Sequence, residues 1–328
     1  FDAKLYTGAS GSVTVTTEFS PDFVWLKNRS HADGWHQLRD AVRGGDRNVS
    51  SNSSNAESDA SNKDLDFNSD GFTLTGTTDS RDDNYDGDSY VAWCWNAGSS
   101  TVSNTDGSVT TSVRANPTAG FSIVKFTVPS GSDLKSYGHG LNAEPSIIFT
   151  KRTNGSGNWQ VFTNATGSNQ TLTLNSTATA GSASSSNYAQ NNSTFSLKNG
   201  HYTDTGWEVI AYCFAPVAGY SAIGAYEGNN NADGPFLYTG FRPAFFLVKN
   251  ADAGQPWNIY DSSRDIDNVV TKGLQPNNSI AEYSTTDRCD FLSNGIKIKS
   301  SGGTVPNLSG NTYIYVAFAE NPFQANGG

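Results

Sequence analysis

The richest set of chemistry-bearing side chains in this 328-residue chain is the run Asp82-Asp83-Asn84-Tyr85-Asp86-Gly87-Asp88. Its D-x-N-x-D-G order matches the first half of a calcium loop, where alternate side-chain oxygens meet one hard cation and Gly permits the sharp turn. Asp82, Asn84, Asp86 and Asp88 are the candidate ligands, and Ca2+ is the one cofactor the residues suggest. The bidentate acid expected at the twelfth position is missing, because Trp93 stands there. The run is therefore no EF-hand, and two readings stay open: a calcium-binding surface loop, or a solvated Asp/Asn/Gly turn ahead of a strand. Asp66-x-Asn68-x-Asp70-Gly71 and Asn229-x-Asn231-x-Asp233-Gly234 fit the same string more weakly.

Other catalytic patterns are missing. The four histidines, His31, His36, His139 and His201, have no HxH or HExxH spacing, and His139 in GHGL reads as a turn residue. Only seven Glu occur, with none in a recurring position that would furnish a glycosidase carboxylate pair. There is no G-x-S-x-G elbow and no phosphate-cradling loop. Three cysteines without a CxxC pair make neither a disulfide framework nor a zinc site, and Cys94 and Cys213 read as small buried apolar residues. No catalytic residue is assigned, and the expectation is a protein that is not an enzyme. Eleven Asn-x-Ser/Thr sequons, among them Asn52, Asn175 and Asn277, stand near the number that 33 Asn in so Ser/Thr-rich a chain gives by chance.

The elements that must position these residues follow one plan used three times. Aromatic strands at 1–6, 121–126 and 220–226 each lead to a Pro-led apolar strand: PDFVWLKN from Pro21, PSIIFTKR from Pro145 and PAFFLVKN from Pro243. Counting from the Pro, Lys27, Lys151 and Lys249 fall at +6, and Trp35, Trp159 and Trp257 at +14. A second apolar strand follows, and each copy closes on a strand around Ala92, Ala211 or Ala317. These alanines lie 71, 66 and 74 residues after the Pro, which makes a unit of about 100 residues, domain size and not solenoid size. Short runs of β-branched and aromatic residues between Gly/Asn/Asp/Ser turns, with no long amphipathic stretch, predict an all-β fold of three tandem β-sandwiches, jelly-roll or lectin-like. Alternation in VIAYCF and VTVTT is expected to turn one face to the core and one to water. Trp35, Trp159 and Trp257 are expected to be core anchors between sheets, the alternative being solvent-exposed rings that stack on sugars.

The boundaries expected are residues 1–97, 120–218 and 219–328 for the three units, with a Ser/Thr/Asn-rich linker at 98–119. Within it Val109, Thr111 and Val113 lie on one side of a would-be strand that could pair with the edge of a neighbouring domain or subunit. A net charge of −10, with 35% hydrophobic and 16% charged residues, disfavours a nucleic-acid partner. No apolar run approaches the ~20 residues of a membrane helix, so no insertion is expected. Phe1 opens directly in strand-like sequence, which reads as a processed or incomplete start.

FSPDFVWLKNRS, LRDAVRG, FNSDGF, YVAWCWNAG, VSNTDGSVTTSV, GFSIVKFT, GHGL, YTGFRPAFFLVKN and YIYVAFAENPF together cover nearly the whole chain. They resemble the repeated tail-fibre and virion structural proteins of aquatic bacteriophages, which carry a domain of unknown function. The resemblance implies a virion or extracellular appendage component and brings no catalytic or ligand residues. The expected function is a non-enzymatic extracellular or virion-surface protein whose partner is itself, in a fibre, filament or trimer. The alternative is a glycan-binding adhesion module, calcium-dependent or not, with Tyr85, Trp95 and Tyr202 as candidate sugar-facing aromatics and cell-surface glycans as partners.

Overall fold

The computed structural model describes residues 1–59, 65–75, 81–301 and 306–321, and among these it is all-β, with no helix. The first third contains β1 (Asp2–Thr7), β2 (Val13–Thr16), β3 (Phe23–Asn28), β4 (Gln37–Asp40), β5 (Gly44–Val49), β6 (Ser58–Asp59), β7 (Leu65–Asn68), β8 (Gly71–Leu74) and β9 (Ser89–Trp95). They form a six-stranded sheet, β1-β9-β3-β4-β5-β6, and a three-stranded one, β2-β8-β7. The middle third holds β10 (Val102–Asn104), β11 (Thr111–Asn116), β12 (Phe121–Thr127), β13 (Leu134–Gly138), β14 (Ile147–Arg152), β15 (Gln160–Thr163), β16 (Gln170–Thr173), β17 (Gly181–Ser182), β18 (Tyr188–Gln190), β19 (Thr194–Lys198) and β20 (Glu208–Phe214). Its sheets run β10-β11-β12-β20-β14-β15-β16-β17 and β13-β19-β18. The last third holds β21 (Ser221–Glu227), β22 (Phe236–Tyr238), β23 (Pro243–Asn250), β24 (Asn258–Asp261), β25 (Val270–Gly273), β26 (Tyr283–Leu292), β27 (Gly295–Ile298) and β28 (Thr312–Ala319), in sheets β21-β28-β23-β24 and β22-β27-β26-β25. Neighbouring strands are antiparallel, as in β1 with β9, β12 with β20 and β23 with β28.

The two sheets of each pair enclose a core in a sandwich-like arrangement. Val24, Leu26, Phe72 and Ala92 fill the first, Val124, Ile148, Phe195 and Ala211 the second, and Phe246, Val248, Ile296 and Ala317 the third. A fourth core lies outside these three and joins the sheet pairs. It takes Trp25, Trp93 and Trp95 from the first larger sheet, Phe149, Tyr212 and Phe214 from the second, and Phe245, Val316 and Phe318 from the third. Trp95, Phe214 and Phe318 meet one another at its centre, with ring centroids 6.2, 5.5 and 5.7 Å apart. The space the rings leave is an apolar cavity of ≈ 20 Å³, which offers a water none of the polar partners it needs. Trp95 Nε1 has no hydrogen-bond acceptor among the described residues. The rings of Phe214, Phe245 and Phe318 stand edge-on to its indole.

The strands that carry this core depart from the expected alternation. In VIAYCF, Val209, Ala211 and Cys213 face the second sandwich while Ile210, Tyr212 and Phe214 face the central core, so neither face meets water. An antiparallel sheet covered on both sides demands apolar residues throughout, as in the wholly buried PAFFLVKN. VTVT of β2 does alternate, with Val15 buried between exposed threonines.

Trp159 and Trp257 are buried, at 0% and 1% exposure, but Trp35 is a correction: it is 39% exposed. Strand register supplies the reason. Leu26, Thr150 and Val248, each preceding one of the recurring lysines, pair with Gln37, Gln160 and Asn258. The residues before those partners are His36, Trp159 and Trp257, so one extra residue in the first loop moves Trp35 out and gives its place to His36. The same register shows Ala92 and Ala211 opposite Leu26 and Thr150, whereas Tyr315 and not Ala317 lies opposite Val248.

Residues 98–119 contribute β10 and β11 to the middle eight-stranded sheet, where β11 pairs with β12. Val113 is buried, Thr111 Oγ1 donates to Gly138 O at 2.9 Å, and Val109 bridges Tyr137. This side of the segment faces the second sandwich of its own chain. Replacing Trp95 with Ala should cost about 3–5 kcal/mol, the usual range for a large buried aromatic, measured by chemical denaturation; a loss below about 1 kcal/mol would contradict the central core.

Candidate functional site

Polar groups buried where the three sheet pairs meet form the most organised constellation among the described residues. Three Asn side chains begin it. Asn52, Asn175 and Asn277 each accept a backbone N–H through Oδ1, from His36 at 3.0 Å, Trp159 at 2.9 Å and Trp257 at 2.9 Å. The rings so held reach across to a neighbouring pair. Trp159 Nε1 donates to Ser50 O at 2.8 Å, Trp257 Nε1 donates to Thr173 O at 3.0 Å, and His36 Nε2 lies 3.0 Å from Gln275 O. Each acceptor is the carbonyl two residues before a bracing Asn. The contacts run from second pair to first, third to second and first to third, so the ring closes.

The recurring lysines lie on the same path. Lys27, Lys151 and Lys249 are at most 1% exposed. Their ammonium groups donate to the carbonyls of Ser279 at 3.1 Å, Ser54 at 3.3 Å and Thr177 at 3.3 Å, each two residues after a bracing Asn. A second bond from each goes to the next residue of its own strand: Asn28 O at 2.6 Å, Arg152 O at 2.9 Å and Asn250 O at 2.6 Å. Burial lowers all three to about 8. Backbone bonds repeat the pattern: Glu57 N to Thr153 O, Ala180 N to Ala251 O and Glu282 N to Arg29 O, at 2.8, 2.7 and 2.9 Å.

Two of the three contacts add a buried carboxylate. Tyr212 OH donates to Asp40 Oδ2 at 2.8 Å and Trp93 Nε1 to Asp261 Oδ2 at 3.0 Å. Arg43 and Arg264 hold those acids at 2.6 Å. At the third contact, register puts Thr163 where the acids stand and Val316 where the donors stand. Acceptor and donor are lost together, which leaves no buried group unsatisfied there.

His36 has one tautomer that fits. Trp25 Nε1–H, a donor only, lies 2.9 Å from His36 Nδ1, so Nδ1 accepts and Nε2–H donates to Gln275 O. Burial, with Lys27 nearby, holds the imidazole well below its usual 6.5.

The sequence-derived candidates do not converge. Asn84 binds Ala9 N through Oδ1 and Gly11 O through Nδ2. Asp88 takes Arg81 at 2.9 Å and Asn28 at 2.8 Å, Asp82 accepts Trp35 N at 2.8 Å, and Asp86 is exposed. The oxygens of Asp82, Asn84 and Asp88 are engaged with separate protein donors, and among the described residues no group of three or more His, Cys, Asp or Glu is placed to hold a metal. Trp95, read as sugar-facing, is a correction: it is 2% exposed at the centre of the molecule. Tyr85 stacks on Arg81 at 4.1 Å, and Tyr202 packs edge-on against Phe162. His139 accepts Leu141 N within its turn, and Cys94, Cys213 and Cys289 are free and buried. The bracing role of Asn52, Asn175 and Asn277 escaped the sequence reading: they follow the recurring lysines by 25, 24 and 28 residues, an uneven spacing that hides the equivalence.

The arrangement holds sheets together and presents no nucleophile to an open cleft. The unfolded chain protonates His36 near pH 6.5 while the folded one resists, so this contribution to stability is lost as pH falls below 6.5. His36→Leu should cost about 1–3 kcal/mol at pH 7.5, because Trp25 Nε1 and Gln275 O lose their partners. The gap to the parent should narrow as pH falls below 6.5, measured by urea denaturation; a gap that widens would contradict the assigned tautomer.

No curated protein and no solved structure matches this chain. The family model described as Domain of unknown function (DUF7483) matches residues 1–322, and the chain belongs to that family.

Proposed function

We propose that the chain is a non-enzymatic structural protein of three tandem β-sandwich domains, residues 1–97, 120–218 and 219–328, with 98–119 joining the first two and adding β10 and β11 to the second. It is displayed outside the cell or on a virion and self-assembles into a fibre, filament or appendage. The observation that carries this reading is the closed ring of buried donors and acceptors. The interior lysines, tryptophans and paired acids are spent on cohesion, and the sheet edges are what remains for contact. A Ser/Thr/Asn-rich surface of low charge suits close packing of such edges in water. The tail-fibre resemblance of the sequence supports the same setting.

A second reading, a glycan-binding adhesion module, is favoured by exposed aromatics: Trp35 at 39%, Phe236 at 45% and Tyr238 at 70%. Planar rings facing water are what sugars stack on, and the Trp35 backbone is anchored by its N–H donating to Asp82 Oδ1. Negative-stain electron microscopy of the native material should find the chain in filaments or appendages. Free particles that bind a glycan array, with or without chelator, would overturn the structural reading in favour of adhesion.

A further inference from the structure

We propose that β21 is a self-recognition edge, pairing antiparallel with β21 of a second copy and joining two four-stranded sheets into one of eight. The proposal rests on the self-assembly reading and names the surface through which it acts.

The observation is how three corresponding edges are treated. Strands β1, β12 and β21 each flank the closing strand of a larger sheet, on the side away from the Pro-led strand. Beside β12 lies β11, so that edge is covered by the chain itself. The edge of β1 is partly covered by the third sheet pair, where Ser263 Oγ donates to Ala3 O at 2.7 Å, and it carries Lys4 and Asp2, paired at 3.1 Å, charge that discourages foreign strands. β21, SAIGAYE, is seven residues long, lies at the end of its sheet, and has no Lys, Arg or Pro.

Its free hydrogen-bonding groups can be named. Tyr220 O accepts Ala319 N at 2.8 Å and Gly228 N donates to Asn311 O at 2.9 Å, so the even-numbered residues face β28. Ile223, Ala225 and Glu227 therefore point their N–H and C=O groups outward, and no described residue bonds them. The matching edge of the smaller sheet is β22, which residues 228–235 connect directly to β21. In the second pair the corresponding edge, β13, is covered by the 107–111 segment, where Val109 N donates to Ser136 O at 3.1 Å. In the third pair no described residue bridges it, and Phe236 and Tyr238 are exposed.

The residue pattern selects a second copy as the occupant. A twofold axis through Gly224 would set Ile223 against Ala225, Ala222 against Tyr226 and Ser221 against Glu227. Large residues then meet small ones, the position on the axis has no side chain, and the two Glu227 carboxylates stand at opposite ends of the ribbon, where they do not repel.

The test is the mass of the full chain in solution by light scattering and sedimentation across concentration. Ala225→Pro removes an outward N–H that bonds nothing in the monomer, and the double substitution Phe236→Lys/Tyr238→Lys puts charge beside the edge without touching a core. Each should halve the mass of the parent's smallest assembled species, with the β-sheet circular dichroism unchanged. A parent that assembles, with both variants assembling equally, overturns the β21 interface and leaves self-assembly standing. A parent that is monomeric at every concentration overturns both.

Discussion

Everything in this molecule depends on three sheets sharing one apolar centre. Each larger sheet is buried on both faces, by its smaller partner on one side and by the other two sheets on the other. Trp95, Phe214 and Phe318 meet where those inner faces converge. Fully burying a large apolar side chain contributes roughly 1.5–3 kcal/mol, and dozens of such groups contribute to this centre and the three sandwich cores. A sheet pair removed from the others would expose an entire apolar face, which is why the three are expected to stand or fall together.

Once the faces are pressed together, the polar groups at their margins lose water and must find one another. The same solution recurs: an Asn holds an aromatic or imidazole ring, the ring donates to a carbonyl of the next sheet pair, and a lysine donates to a second carbonyl close by. Buried ammonium groups are costly, and carbonyl partners offset only part of that cost, consistent with values lowered to about 8. The departures obey the same logic. His36 replaces a tryptophan beside the larger Trp25, keeps the bonds to Asn52 and Gln275, and adds one from Trp25 Nε1. Thr163 and Val316 occur together where the other contacts have an acid and its donor.

Much of this was legible before any fold was known. The Pro-led strands, the lysines at +6 and the tryptophans at 159 and 257 mark elements that do lie in cores, and the turn-rich, helix-poor pattern reads correctly as all-β. What escaped was the partner on the second face. Runs such as VIAYCF look the same whether their outer residues meet water or a neighbouring sheet, and local periodicity carries no information about distant segments. Trp35 was misplaced because an insertion of one residue changes register without changing composition. Asn52, Asn175 and Asn277 were visible as sequons, yet their role depends on a carbonyl supplied by another part of the chain. Asp82, Asn84, Asp86 and Asp88 show the reverse: an attractive local string in which Asp82, Asn84 and Asp88 serve separate donors and Asp86 faces solvent.

Cohesion of the three sheet pairs through the shared core is best tested by differential scanning calorimetry of the full chain, comparing calorimetric with van't Hoff enthalpy. One transition with the two enthalpies equal is predicted, since no pair can leave without exposing the centre. Separate transitions, or a calorimetric enthalpy about threefold larger than the van't Hoff value, would mean that the pairs unfold independently and that the central core does not govern the structure.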